Sequence, residues 1–236
     1  MEHEHVEHNK ESGTHHPHHK PENNNQSQIA GAIVIAGLIV AGAILLKGSG
    51  SPTTPTEQPI AKIIGLNLKS FNSCMESGKF KAKVQADIDD GVKAGVRGTP
   101  SSFILKDGVA VEAIPGALPI GDVTQMIKDV RGGNKKPLEI TLRSVSPDDH
   151  ILGNPNAKIV IVEYSDLDCP FCKSFHNTMH QIIKEDGDVA WIYRHYPIPQ
   201  LHPNAPKKAE ETECAFDQKG NEGFWAYADK VFELAK

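Results

Sequence analysis

The sequence predicts an α/β domain over residues 60–236, preceded by one membrane-spanning helix. Three observations predict it. Lys158 to Tyr164 is a nearly continuous apolar run (Ile159, Val160, Ile161, Val162) that gives way to a helical pattern over Phe171 to Ile183, as a fully buried central strand followed by a covering helix does. Ser102 to Leu105, the Asp107-Gly108 pair and Val109 to Ala113 read as an antiparallel hairpin lying between two helical stretches. Ile29 to Leu46 is a run of 18 residues without a charge or a strongly polar group, at the short end of what crosses the hydrocarbon core of a bilayer.

The composition fits one sizeable core with appendages, since 39% of the 236 residues are apolar. From residue 59 onward, 22 Lys and Arg face 24 Asp and Glu. That balance excludes the basic surface by which nucleic acid is bound. Four cysteines, two of them closely spaced, are compatible with an oxidising compartment.

Residues 1–28 hold seven of the twelve histidines (His3, His5, His8, His15, His16, His18, His19) and almost no large apolar side chain, so the stretch reads as a disordered His-rich tail. Its imidazoles could bind transition metals; a polar flank without fixed geometry is the simpler reading. Residues 29–46 read as the transmembrane helix. A cleaved signal peptide is the alternative, disfavoured because the run begins late and follows an acidic region. Residues 47–59, rich in Gly, Ser, Thr and Pro, form a flexible linker. Ala61 to Val96 carries apolar residues at helical intervals and is cut into short helices by Gly65, Gly78 and Gly95. Gly98-Thr99-Pro100 stops that pattern before the hairpin, and Ile120 to Val130 is a closing helix. Arg131 to Pro137 is a connector and the best internal boundary. Leu138 to Val145 alternates like an edge strand. After the central strand and its helix come a further strand, Val189 to Tyr193, and a helical stretch, Ala205 to Leu234, with Phe216, Phe224, Trp225, Tyr227 and Phe232 as core aromatics.

Chemistry concentrates at Cys169-Pro170-Phe171-Cys172, between the central strand and its helix. A thiol at the first turn of a helix faces unpaired N–H groups and the positive end of the helix dipole, both of which favour thiolate. Cys169 is therefore the expected nucleophile. Pro170 suits the first helical position, and the two-residue spacer lets Cys172 close a disulfide with Cys169. Half of a zinc site is the alternative, but Cys74 and Cys214 stand alone in sequence and supply no second close pair, so no metal site is expected.

These residues resemble the DsbA-like thioredoxin-fold oxidoreductases. The resemblance rests on Val162-Glu163-Tyr164-Ser165-Asp166-Leu167-Asp168 leading into CPFC, on Glu213-Cys214-Ala215 and Gly223-Phe224-Trp225, on Phe71-Asn72-Ser73-Cys74, and on Gly98-Thr99-Pro100. It covers most of residues 60–236. In that family the CPxC half comes first and the X-Pro hairpin half last; here residues 60–130 match the C-terminal half and residues 138–236 the N-terminal half. The fold class expected is thus a thioredoxin fold with a helical insertion, circularly permuted, with residues 131–137 joining the family's ends. Seven extended residues reach at most about 25 Å, and domain termini are often neighbours. Halves exchanged between two chains are the alternative.

The resemblance implies that Pro100 is a cis proline against the CPFC pair, with Thr99 and Pro100 holding a substrate backbone. It implies that Glu163 is a buried carboxylate relaying the proton of Cys172, and that Cys74 and Cys214 form a structural disulfide; two buried free thiols are the other reading. Two departures from the family predict a milder oxidant: Asp168 sets a carboxylate beside Cys169, and Phe171 has no side-chain donor for the thiolate. What the resemblance implies is a thiol:disulfide oxidoreductase acting on cysteine-containing proteins and recycled by a redox partner, with no cofactor. Such chemistry belongs outside the cytoplasm, so a single-pass protein of the cell membrane with an extracytoplasmic domain is expected. The rival is a noncatalytic thioredoxin-like binding module or an inactive rearranged domain.

Overall fold

A computed structural model describes residues 59–133 and 135–235. The His-rich tail, the 29–46 run and nearly all of the linker lie outside them. Among the described residues no helix is long and apolar enough to cross a membrane.

Three short helices come first: α1 (Ile60–Ile63), α2 (Leu68–Ser77) and α3 (Lys81–Lys93). The Asn67 side chain caps α2 by accepting the Ser70 N–H at 2.9 Å, and Gly78, at φ 60°, ends it. Strands β1 (Ser101–Lys106) and β2 (Val109–Pro115) form the expected hairpin. Asp107 and Gly108 both take positive φ, 50° and 82°, the conformation a two-residue hairpin turn requires and an Asp-Gly pair supplies. Then follow α4 (Ile120–Gly132), β3 (His150–Gly153), β4 (Ile159–Ser165), α5 (Pro170–Glu185), β5 (Val189–His195) and α6 (Ala205–Leu234). A non-helical Gly220 breaks α6 into two segments.

The five strands form one mixed sheet in the order β2-β1-β4-β5-β3. Only β4 and β5 are parallel; every other pair is antiparallel. Alternation along β4 sends Ile159, Ile161 and Glu163 to one face and Val160, Val162 and Tyr164 to the other. The first face carries the larger core, where Ile159, Ile161, Trp191 and Tyr193 pack with Cys172, Phe175, Met179, Phe224 and Phe232 from α5 and α6. The second carries a smaller core of Phe103, Leu105, Val162, Tyr164 and Ile192, with Ala94 and Val96 beside the end of α3. Close approach of α3 needs Gly91, because a Cβ there would lie 2.9 Å from the Tyr164 ring and 2.8 Å from the Tyr196 ring.

The edge strand expected at Leu138–Val145 is not there; the strand on that edge is β3, His150–Gly153. Leu138, Ile140 and Leu142 instead lie on the second face of the sheet, partly buried against the smaller core. Their alternation is satisfied by packing on the sheet rather than by pairing in a ladder. The backbone of this segment is held at separate points, by Leu138 N–H to the Ala110 carbonyl and Arg143 N–H to Asp90, both at 2.8 Å. The connector is also shifted, since α4 runs through Gly132.

Two features tie residues before the connector to residues after it. Cys74 on α2 and Cys214 on α6 form a disulfide with Cα atoms 5.9 Å apart across 140 residues. Arg194, fully buried on β5, donates to Asp90 of α3 at 2.7 Å and to both oxygens of Asp149 at 2.9 and 3.0 Å. Arg143 joins this network through Asp149 at 2.9 Å and Asp87 at 3.0 Å. Desolvation of these five charges is offset by reciprocal, multidentate contact. Replacing both Cys74 and Cys214 by Ala is expected to lower unfolding stability by about 2–5 kcal/mol, the range for removing a native disulfide, with the native sheet retained. Urea unfolding followed by circular dichroism checks it; an unchanged midpoint would contradict it.

Candidate active site

Cys169 is the N-cap residue of α5, in extended conformation at φ −78° and ψ 123°, and Pro170 occupies the first turn, where a missing N–H costs nothing. Both cysteines are free thiols and both are buried, Cys172 completely and Cys169 at 5% exposure. The Cys169 sulfur lies 3.5 Å from the carbonyl oxygen of Thr99. Residues 70 apart in sequence therefore meet because β1 pairs with β4 and presents its N-terminal end beside that of α5. The Thr99–Pro100 peptide is cis, as the resemblance implies.

Hydrogen bonding separates the two thiols. The Cys172 thiol acts first on Cys169; against the opposing effect of burial, the N–H groups of Cys172 and Phe171 and the Thr99 side chain add to it, and Cys169 is lowered to about 5. Cys172 moves the other way. Burial, the bond to Cys169 and the charge of Glu163 hold its proton far above the ordinary thiol range. The site thus pairs an ionised sulfur at the helix terminus with a protonated one beneath it. Alkylation of the reduced protein by iodoacetamide is expected to titrate with a midpoint near pH 5 and to modify Cys169 alone. An inflection between pH 8 and 9, where a free thiol of about 8.5 ionises, would contradict this.

Glu163 is fully buried on β4, on the face that carries α5. Its Oε2 accepts the Trp191 indole N–H at 2.9 Å, and Oε1 has no partner. Burial pushes the carboxyl up to about 7; the neighbouring Ser165 hydroxyl and the Trp191 N–H oppose the rise and the charge on Cys169 adds to it. A carboxyl poised near neutrality, close enough to influence the Cys172 thiol, can hold or release a proton there.

The structure corrects the reading of Asp168. Its carboxylate forms an ion pair with Lys208 of α6, so no bare negative charge opposes the Cys169 thiolate. Phe171 is 67% exposed and lends its backbone N–H rather than its side chain. Of the two grounds for a milder oxidant, the Asp168 charge is removed by this pairing, while the absence of a side-chain donor at Phe171 stands.

Sequence reading named Cys169, Cys172, Glu163, Thr99, Pro100, Cys74 and Cys214, and the structure brings the first five together. It missed Lys208, Ser165, Trp191 and Asp166. Asp166 fixes the loop before Cys169: one oxygen accepts the Asp168 N–H at 2.8 Å, and the other accepts Ile198 N–H at 2.8 Å and lies 2.9 Å from His202 Nδ1. Its position two residues before another Asp, after a strand, was the available signal. A buried trio of His150, His195 and Glu213 was also missed. Glu213 Oε1 lies 2.8 Å from His150 Nε2 and 3.2 Å from His195 Nε2. Burial raises the Glu213 carboxyl, but the two rings more than reverse this and hold it far below its ordinary value.

Comparison with known proteins bears on the domain as a whole. Residues 145–236 match the family described as Thioredoxin. The Na(+)/H(+) antiporter NhaA 1 of Mycolicibacterium vanbaalenii is 36% identical over 94 residues, covering 39% of this chain and 15% of that protein. NhaA 1 of Salinispora arenicola is 34% identical over 226 residues, covering 84% of this chain and 34% of its own. The chain spans about a third or less of the length of these relatives. The crystal structure of Pseudomonas aeruginosa DsbA2 aligns with a TM-score of 0.36 and 33% identity over 38% of this chain and 50% of that one. The domain is thioredoxin-like, a mixed sheet flanked by helices.

Proposed function

We propose that this chain is a DsbA-like thiol:disulfide oxidoreductase, tethered to the cell membrane by residues 29–46 with its thioredoxin-like domain, residues 60–236, on the extracytoplasmic side. The observation that carries the reading is the pairing of Cys169, at a helix N-cap with its sulfur 3.5 Å from the Thr99 carbonyl oxygen, with a fully buried Cys172 thiol three residues on, an arrangement that lowers the first thiol to about 5 and keeps the second protonated. In the oxidised protein a substrate thiolate attacks the Cys169 sulfur, the Cys169–Cys172 bond breaks, and a mixed disulfide forms while Cys172 takes up a proton. A second substrate thiolate then attacks the substrate sulfur of that bond and Cys169 leaves as thiolate. Two electrons pass from the substrate dithiol to the CPFC pair, and a redox partner removes them. A stabilised Cys169 thiolate favours the reduced form of the enzyme, and so the direction of disulfide donation. Thr99 and Pro100 border the sulfur and are assigned to the substrate backbone.

The same proposal includes circular permutation, with residues 60–130 as the counterpart of the family's C-terminal half, 131–137 as the junction, and 138–236 as the N-terminal half. The pairing of β1 with β4, the Cys74–Cys214 bond and the Arg194 network support halves that complete one another within a chain.

The test is transfer to a dithiol peptide. Oxidised protein is expected to convert the peptide to its cyclic disulfide with one peptide oxidised per chain and loss of the CPFC bond. Peptide oxidation no faster than in buffer would refute the activity.

A further inference from the structure

Away from the CPFC pair, three side chains converge on one point between α5 and α6. His176 and His180 are four residues apart on α5 and so share one face; Asp229 reaches them from α6. The Nε2 atoms of both rings lie close to the same carboxylate oxygen, Asp229 Oδ1, at 2.7 and 2.8 Å, and the two Nε2 atoms are 3.1 Å from each other. We propose that His176, His180 and Asp229 form a binding site for a divalent transition-metal ion of the zinc class.

The geometry favours coordination. The three donor atoms make a triangle with edges of 2.7, 2.8 and 3.1 Å, and a point about 1.2 Å off its plane is ~2.05 Å from every corner, the length of Zn–N and Zn–O bonds. Two imidazoles and one carboxylate suit zinc and its neighbours rather than Mg²⁺ or Ca²⁺, which take oxygen ligands. As hydrogen-bonding groups alone the three are poorly matched. A single carboxylate oxygen faces both rings, and if each ring donates to it, two N–H groups are crowded together at 3.1 Å; a cation between them turns that crowding into shared coordination.

Access is also provided. His176 is anchored, its ring buried among Trp191, Trp225 and Phe232, whereas the side chains of His180 and Asp229 are 37% and 46% exposed. They border a surface cleft of about 340 Å³ whose rim includes Glu233, with room for water or a fourth ligand. The His150, His195 and Glu213 trio differs on this point. It is sealed from solvent, and Glu213 is shared with Lys83 at 3.6 Å, a cation already in place.

The experiment titrates Zn²⁺ into the full chain with the CPFC pair oxidised, so that its thiolates cannot serve as ligands, and compares the parent with His180→Ala and Asp229→Asn. The seven tail histidines contribute equally to all three proteins and cancel in the difference. The parent is expected to bind one more equivalent than either variant. Co²⁺ as a spectroscopic substitute should give the intense visible bands of a four- or five-coordinate site in the parent only, and Zn²⁺ should raise the Tm of the parent more than that of the variants. Matching far-UV circular dichroism without metal establishes that the variants fold. Equal stoichiometry and superimposable Co²⁺ spectra in all three proteins would overturn the site, as would loss in His180→Ala with full retention in Asp229→Asn.

Discussion

Cys169→Ser is expected to reduce disulfide exchange to the rate of the buffer control, whereas Cys172→Ser is expected to trap a mixed disulfide with the substrate. The reason lies in the unequal environments of the two sulfurs. Cys169 sits at the mouth of α5, is lowered to about 5 and presents an anion at neutral pH; a serine hydroxyl there is neither anionic nor able to form a disulfide. Cys172 is buried and protonated, so it cannot initiate exchange but can resolve it once the first bond draws a substrate sulfur to Cys169. Non-reducing gels and mass spectrometry of each variant with a cysteine-containing peptide check both outcomes. Equal adduct formation through Cys172 in the Cys169→Ser protein would contradict the assignment of roles.

Glu163→Gln is expected to stabilise the reduced protein at pH 8 and to slow exchange at the same time. A carboxyl whose folded pKa is about 7, against about 4.3 in an unfolded chain, binds its proton more tightly in the folded state. Its contribution to stability is therefore complete below pH ~4.3 and is lost as pH rises through 7. The shift amounts to about 4 kcal/mol at pH 8, and the amide, which does not ionise, should recover most of it while still accepting the Trp191 N–H. Denaturant unfolding at pH 4 and pH 8 checks the sign. The gain should appear at pH 8 and vanish at pH 4; a loss at pH 8 would contradict burial of an ionisable carboxyl at this position. Exchange should slow on the order of 100-fold, the lower end of the range for losing a positioned proton carrier, with the neutral-pH inflection removed from the rate profile.

The parts of this structure that were legible in the sequence are those specified by near neighbours. The apolar run at Ile159 to Val162 could only be a buried strand, Asp107-Gly108 could only turn a hairpin sharply, and the spacing of Cys169 and Cys172 at a strand-to-helix junction carried its chemistry locally. Leu138 to Leu142 misled because alternation describes any extended segment lying on a sheet face, whether or not its backbone pairs. β3 escaped because four residues are too few for a period to show. The charged contacts were illegible for another reason. Asp90 and Arg194 are 104 residues apart, and Asp168 and Lys208 are 40 apart. Each looks like an ordinary solvated charge until the fold supplies its partner. The inference that Asp168 opposes the thiolate failed on that account, and His176, His180 and Asp229 went unnoticed for the same reason. Thr99 and Pro100 were placed at the site only through the resemblance, since nothing local to Gly98-Thr99-Pro100 points to a cysteine 70 residues away.

Central to the account is that the turn before β1 and the first turn of α5 meet within one polypeptide. The Thr99 carbonyl oxygen lies 3.5 Å from the Cys169 sulfur and the Thr99 side chain lowers that thiol's pKa, so a sulfur placed on residue 99 falls within bonding reach. The most direct measurement is disulfide mapping of the double variant Thr99→Cys, Cys172→Ser, oxidised at low concentration and separated by size. A bond between position 99 and Cys169 in the monomer is the predicted result. The same bond found only in dimers, or its absence beside an intact Cys74–Cys214 link, would contradict the account.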